Sequence, residues 1–347
     1  MTGFIITTII IILLVGAGSY GVYLQYRRIL REAKNYERGL KMVPLYIHIP
    51  PVSDDIEGNG RDERDLTEEV LSQAQVMYNI IASTITKGFK TKVYGQRHVS
   101  FEIVAHEGLI HYYVVTPIAL IDVIRQAVSA AYPSARLEEV EERNIFNPAG
   151  RMSGTIGGEF TLKKQYAFPI LTYQESKRDA SRAILNALSS ATKEDGVGIQ
   201  IMIRPAQTGW SKSAVSVAED IKKNKGVKKG GSKLTGYAGG MFEALWKPPE
   251  TNEVKTEDKQ LSNLEQGTVE AIEDKTRYPG YETLIRVIAS SNTSGKSQTL
   301  LNNVVSAFSL FDSASHNGFK FAVSKNIDEF VTAYLFRFFP QQVNQNI

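Results

Sequence analysis

The run His98–Val115, HVSFEIVAHEGLIHYYVV, decides the architecture. Val99, Phe101, Ile103 and Ala105 alternate with His98, Ser100, Glu102 and Val104, which is the period of a strand with one buried and one solvated face. Glu107-Gly108 then supplies a turn and Leu109–Val115 returns as an apolar run, so the segment reads as a β-hairpin. Upstream, Leu66–Thr86 places Val70, Leu71, Ala74, Met77, Tyr78, Ile81 and Ile85 at three- and four-residue spacing, an amphipathic helix that needs a surface to cover. Downstream, Pro117 opens a helix to about Ala131, and Ala135–Val140 reads as a further strand.

From Gly157 the rhythm starts again. Strands over Glu159–Lys164, Val197–Arg204, Glu282–Ala289 and Gly318–Val323 alternate with helices over Gln174–Ala191, Gly209–Lys223, Ser294–Phe311 and Asp328–Phe339. This predicts an α+β protein with two ferredoxin-like (split βαβ) domains, their sheets antiparallel or mixed and their helices on one face. The domains are 66–150 and 151–340, the second interrupted by a flexible insertion over 222–280, with 341–347 as a tail. A length of 347 residues agrees with two domains rather than one small module.

The N-terminal segment reads differently. Phe4–Leu24, FIITTIIIILLVGAGSYGVYL, carries no ionisable side chain other than tyrosine over 21 residues, and a helix of that length spans roughly 30 Å, the thickness of a bilayer core. Arg27, Arg28, Arg31, Lys34, Arg38 and Lys41 follow against Glu32 and Glu37. The positive-inside rule therefore predicts a single-pass anchor over 1–26 in the inner membrane, with the N-terminus outside and the bulk cytoplasmic. Residues 27–65 become a basic juxtamembrane segment and a Pro/Gly-rich stalk. Two rival readings exist. Gly16, Gly18 and Gly21 match the G-x-G-x-x-G dinucleotide fingerprint, but the acid expected about 20 residues on is missing. A signal peptide would carry its basic residues on the other flank.

Composition removes several chemistries. With no cysteine there is no disulfide scaffold, thiolate metal site or cysteine nucleophile, and a net charge of +3 is too small to argue for nucleic acid by itself. Ser294-Gly295-Lys296-Ser297 lies between an apolar strand and a helix, where a phosphate loop belongs, but Ser290 stands where the first P-loop glycine is required. Gly295, Lys296 and Ser297 therefore read as a helix start capped by Thr293 or Ser294. His98, Glu102, His106 and His111 read as the solvated face of the hairpin rather than as metal ligands. The acids of Glu138–Arg143 read as an ion-paired surface. No G-x-S-x-G elbow occurs after the N-terminal segment. No catalytic residue, metal or cofactor is expected. Lys222, Lys223, Lys225, Lys228, Lys229 and Lys233 form a lysine-rich loop that reads as a solvated linker, and are the candidate contacts for a polyanion such as DNA. Met241, Phe242, Leu245 and Trp246, with Phe336, Phe338 and Phe339 near the C-terminus, form apolar patches and are the candidate contacts for a partner domain or a second copy.

The stretches LKMVPLYIHIPPVSDDIEGNGRDERD (40–65), KGFKTKVYGQRHVSFEIVAHEGLIHYYVVTP (87–117), YPSARLEEVEERNIF (132–146), SGTIGGEF (153–160), RDASRAILNALSS (178–190) and GIQIMIRPA (198–206) carry a family resemblance, which MFEALWKPP and IRVIAS continue. The chain resembles the non-ATPase region of membrane-anchored proteins of bacterial type IV secretion and conjugative DNA transfer. That resemblance implies a non-catalytic anchoring and assembly role beside a coupling-protein-type ATPase domain or subunit, and transfers no catalytic residue to this chain.

Overall fold

Eight strands form one antiparallel sheet. They are β1 (Met42–His48), β2 (Val99–His106), β3 (Leu109–Pro117), β4 (Arg136–Glu139), β5 (Thr155–Leu162), β6 (Gly196–Pro205), β7 (Tyr281–Ser290) and β8 (Phe319–Val323), in the order β4-β1-β3-β2-β6-β7-β5-β8. The computed structural model describes residues 2–49, 63–141, 144–146, 154–172, 180–206, 209–223, 261–313 and 316–340. Each half of the sheet has the strand order of a split βαβ unit, β4-β1-β3-β2 and β8-β5-β7-β6. The halves join where the second strand of one unit pairs with the second strand of the other, from Val99 opposite Ile203 to His106 opposite Gly196. Two separate sheets were the sequence expectation, and a single sheet replaces them. The reason is that β2 and β6 are apolar along the joining edge, with Phe101 opposite Ile201 and Ile103 opposite Ile199. Left as two edges, they would expose two rows of unpaired peptide groups.

The odd-numbered side chains of β2 face a layer of helices. Helices α2 (Glu63–Ser83) and α4 (Ile121–Ala131) cover the first half, with Met77, Ile81, Ile124, Ala127, Val128 and Ala131 packed on Leu45, Val99 and Val114. The short helix α3 (Phe89–Tyr94) leads from α2 into β2. Helices α5 (Ala180–Leu188) and α8 (Ser294–Ala307) cover the second half, where Leu188, Leu300, Leu301, Val304 and Phe308 pack on Phe160, Ile199 and Val287. A fully buried aliphatic side chain such as Ile124 contributes about 1.5–3 kcal/mol to this layer. Between β6 and β7 the chain makes a helical hairpin, α6 (Trp210–Lys222) and α7 (Asn263–Lys275), closed by Ala214, Ala218, Val269 and Ile272. Helix α7 lies inside the segment expected to be flexible. It begins with a capping box between Ser262 and Glu265, a start signal that satisfies two orphan backbone donors at once.

The opposite face of the sheet is covered by α9 (Ile327–Leu335) and the residues after it. Phe330 and Tyr334 sit on Val104, Val115 and Ile288, with Ile145 beside them. Helix α1 (Thr2–Gly39) precedes β1 directly. Among the described residues, no helix is long and apolar enough to cross a membrane. This overturns the expected span Phe4–Leu24, and with it the single-pass placement in the inner membrane. The apolar run is diluted by Gly16, Gly18, Ser19, Tyr20 and Gly21, and the same helix continues through Arg27, Arg28 and Lys34 to the body of the protein. Gly16, Gly18 and Gly21 lie within this helix, whereas a dinucleotide fingerprint needs a strand, a tight turn and then a helix.

Candidate functional site

One row of side chains crosses the α9 face from edge to edge. Opposed residues share a face, so the strand registers align Glu138, Tyr46, Tyr113, Glu102, Gln200, Arg286, Glu159 and Ala322. The centre of this row is polar and buried, since Glu102, Gln200 and Arg286 are all shielded from solvent. A carboxylate in such a place needs a charged partner and satisfied lone pairs. Arg337 supplies the partner, donating from Nε to Oε1 at 2.7 Å and from Nη2 to Oε2 at 3.0 Å, the two-pronged geometry that a guanidinium forms best. Ser100 Oγ and Gln200 Nε2 donate to the same carboxylate at 2.8 and 3.0 Å. Burial pushes the Glu102 carboxyl up, but the Arg337 charge and these hydrogen bonds outweigh it and hold the group below the usual carboxylate range.

The same donors finish α9. The last carbonyls of a helix have no partner within it, and here Gln200 Nε2 donates to Tyr334 O at 3.1 Å, Arg286 Nη1 to Ala333 O at 2.9 Å and Arg337 Nη1 to Leu335 O at 3.0 Å. Two guanidinium groups thus face the negative end of the helix dipole. Arg286 Nε also donates to Glu159 Oε1 at 2.8 Å. Arg337 itself has φ 52°, the left-handed conformation that commonly ends a helix and usually selects glycine.

Residues 336–339 continue from α9 as a strap across the sheet. Phe339 packs on Met202 and Leu284, the Arg204 guanidinium lies 4.1 Å from the centre of its ring, and the His98 ring lies 5.2 Å away. Arg204 in turn holds Glu282, its neighbour on β7. Burial first, and then the Arg204 and Arg38 charges, push His98 down to about 3, so it is a neutral ring at any physiological pH. The histidine face expected to be solvated is therefore an interior one. His98, Glu102 and His111 are buried and His106 is half-buried, and they do not converge. Among the described residues no group of three or more His, Asp or Glu is placed to hold a metal ion.

The strap also receives the end of α1. Tyr36 stacks edge-on against Phe338 at 4.5 Å and tilts against Phe336 at 5.8 Å, while Asn35 Nδ2 donates to Phe339 O at 3.3 Å. Of the expected partner contacts, Phe339 is thus buried within the chain, while Phe336 and Phe338 pack on Tyr36 and stay half-buried. Met241, Phe242, Leu245 and Trp246 lie outside the described residues, as do Lys225, Lys228, Lys229 and Lys233. Lys222 pairs with Glu273 at 2.6 Å and Lys223 with Glu219 at 3.3 Å.

The second corner of interest is the turn from β7 into α8. Thr293 caps the helix by accepting from Lys296 N. Lys296 Nζ lies 2.8 Å from Asp195 Oδ2 and donates to Thr192 Oγ1 at 3.0 Å. Ser297 Oγ donates to the carbonyls of Gly154 and Thr293, and Ser291 Oγ donates to Asp195 Oδ1 at 2.7 Å. The amine and hydroxyl that a phosphate loop would present are committed to the chain itself. A Cβ at Gly295 would meet nothing within 4 Å, and its carbonyl accepts from Thr299 Oγ1 at 3.0 Å. Burial raises Asp195, but hydrogen bonds from Lys296, Thr192 and Ser291 outweigh it and bring the carboxyl down to about 2 from an ordinary value of 3.8. Because the folded value is depressed, the stabilisation is present above pH 3.8 and is lost as the pH falls through about 2. Asp195→Asn is accordingly expected to cost about 2 kcal/mol at pH 7, and urea titrations should show the difference from wild type shrinking between pH 4 and pH 2. A difference independent of pH would contradict the assignment.

Elsewhere, a groove of about 630 Å³ runs along α7 past Glu270, Asp274, Arg277 and His316, but its Asp274–Arg277 pair is exposed and therefore weak. At the far end of α7 burial pushes Lys275 down to about 8, and its amine donates to Tyr166 O.

The family model described as "Domain of unknown function (DUF8128)" matches residues 65–338. The chain belongs to this family. The DUF8128 domain contains both members of the Glu102–Arg337 pair and the whole Asp195–Lys296 corner, while α1 and β1 precede it. No curated protein matches the chain.

Proposed function

We propose that this DUF8128 protein is a non-catalytic assembly module that holds two chain segments, α1 and the strap, at one place on a rigid sheet. The observation that carries the reading is the stacking of Tyr36 on Phe336 and Phe338, beside Asn35 on Phe339. It gathers segments about 300 residues apart in sequence over a buried polar part of the sheet. The setting comes from the sequence resemblance, a type IV secretion or conjugative transfer machine, in which the module organises an ATPase domain or subunit.

Chemistry has less support. A general acid, base or nucleophile must reach a substrate proton or atom, and Glu102, Asp195, Lys296 and Ser297 are each taken up by contacts within the chain. Among the described residues, no such group stands free beside Gly295, Lys296 and Ser297 for a nucleotide hydrolase, or beside Gly16, Gly18 and Gly21 for an oxidoreductase.

Ile29 on α1 and Leu335, the last residue of α9 before the strap, are exposed. Photoreactive side chains at these positions, in cells carrying the complete transfer apparatus, are expected to yield adducts with its ATPase. Adducts confined to the same polypeptide or to a second copy would overturn the assembly reading. ATP turnover by the purified chain that Lys296→Ala abolishes would replace it with the hydrolase.

A further inference from the structure

We propose that the strap, residues 336–339, is a releasable element that docks and undocks together with the last turns of α1 while the sheet and α9 stay in place. The mechanics do not depend on which partner the module serves.

The surface under the strap is unlike the rest of the interior. The helix-covered face is apolar along both halves, and α9 is seated through Phe330 and Tyr334 on Val104, Val115 and Ile288. Beneath the strap the apolar cluster is limited to Met202, Leu284 and Phe339, and the remaining contacts are charged or polar. Arg337 reaches Glu102, Arg204 covers Phe339 and donates to Pro340 O at 3.4 Å. When an apolar contact opens, water gains nothing from the exposed surface, whereas an opened guanidinium–carboxylate pair recovers the hydration of two ions. Opening here also lets Arg337 leave its left-handed conformation. The strap is therefore the part of this face that opens at least cost.

Helix α1 is tied to the strap more than to the sheet. Tyr36 and Asn35 touch only strap residues in the contacts above, and at Gly39 a Cβ would stand 2.5 Å from Phe336 O. It also packs against α3, where Arg38 donates to Gly95 O and Gln96 O at 3.0 and 3.2 Å and Lys34 lies over the Tyr94 ring. A turn at Leu40 and Lys41 separates the helix from β1, and supplies the pivot. Docking of one segment completes the seat of the other, so the two are coupled, and coupling of this kind is reciprocal.

Hydrogen exchange on the full chain tests this. Useful reporters are the strap amides of Phe336, Arg337 and Phe338, bonded to Thr332 O, Tyr334 O and Ala333 O, and the amides of Leu40 and Lys41 at the end of α1. Arg337→Gly combined with Glu102→Gln keeps the backbone conformation and removes both ions, so that neither charge is left buried and unpaired. It is expected to speed exchange at both sets of reporters about tenfold, with β2, β6 and β7 unchanged. Tyr36→Ala, at a half-exposed position that leaves the core intact, is expected to speed exchange in the strap as well. A rise spread evenly over the whole chain, a rise in the strap alone, or no rise would each overturn the proposal.

Discussion

Glu102→Ala is expected to destabilise the chain by about 3–5 kcal/mol, read as a fall in the urea midpoint at unchanged slope. The size follows from what the substitution leaves behind. Arg337 and Glu102 are both nearly sealed from solvent, so removing the carboxylate strands a guanidinium that cannot reach water without lifting the strap. It also takes the acceptor from Ser100 Oγ and one of two acceptors from Gln200 Nε2. Glu102→Gln, which retains an acceptor but no charge, should cost less than alanine. The decisive comparison is Glu102→Leu with Arg337→Met, where both ions go and similar volume is kept. Breaking a buried pair is costly, whereas replacing it whole is often neutral, so the double variant should recover most of the loss. If it is as unstable as Glu102→Ala, the charge pair is not what the position requires.

The pair also shows where sequence reading stopped. The hairpin was legible because its signals are local: the alternation of Val99, Phe101, Ile103 and Ala105, and Glu107 and Gly108, which the structure places at φ 55° and 77°, the conformation of a tight hairpin turn. The helix after Pro117 was legible for the same reason, since Leu120, Ile124, Ala127, Val128 and Ala131 lie on one face. The other face of β2 read as solvated because Ser100 and Glu102 are polar, and polarity ordinarily marks the wet side of a strand. What covers them is Arg337, which lies 235 residues further on, and no local pattern announces it. A trace was present in the residues that break apolar runs, Arg286 within LIRVIAS and Arg337 within LFRFF. A lone arginine in an otherwise buried segment needs an internal carboxylate, and Glu159 and Glu102 are those carboxylates.

The union of two half-sheets was partly written in the sequence too. GVGIQIMIRP (196–205) has an unbroken apolar face, Val197, Ile199, Ile201 and Ile203, with Gln200 and Arg204 on the other, and it is buried along nearly its whole length, as a central strand is. A strand at the rim would carry a charge or a proline to discourage pairing, as β4 does with Arg136, Glu138 and Glu139. The turn into α8 was legible in its capping residue, Thr293, but not in Asp195. That carboxylate stands at the end of a loop about 100 residues earlier in the chain, and only the tertiary fold brings it to Lys296.

Gly157→Val is expected to cost about 3 kcal/mol, because the groove that seats α9 is cut by two glycines. On the row next to the charged one, Gly198 lies opposite Ile288, and Ile288 lies opposite Gly157. Ile288 therefore stands as a ridge between two hollows. Phe330 fills the hollow at Gly157, where a Cβ would come 2.4 Å from its ring and 2.8 Å from Val287 O. Tyr334 fills the hollow at Gly198, where a Cβ would come 2.1 Å from the phenol oxygen. The two sites differ in what can yield. A tyrosine tip can swing aside, but a phenylalanine ring pressed beside strand backbone cannot, so Gly198→Ala should be the milder change and Gly157→Ala the harsher. Shortening the ring tests the cause directly: Phe330→Leu should be less harmful in the Gly157→Ala background than in the wild type, a coupling readable from a double-mutant cycle. Strict additivity would mean that α9 is not held by this groove. The carbonyls that Arg286 and Gln200 reach would then need another support to stay where Arg337 can close on Glu102.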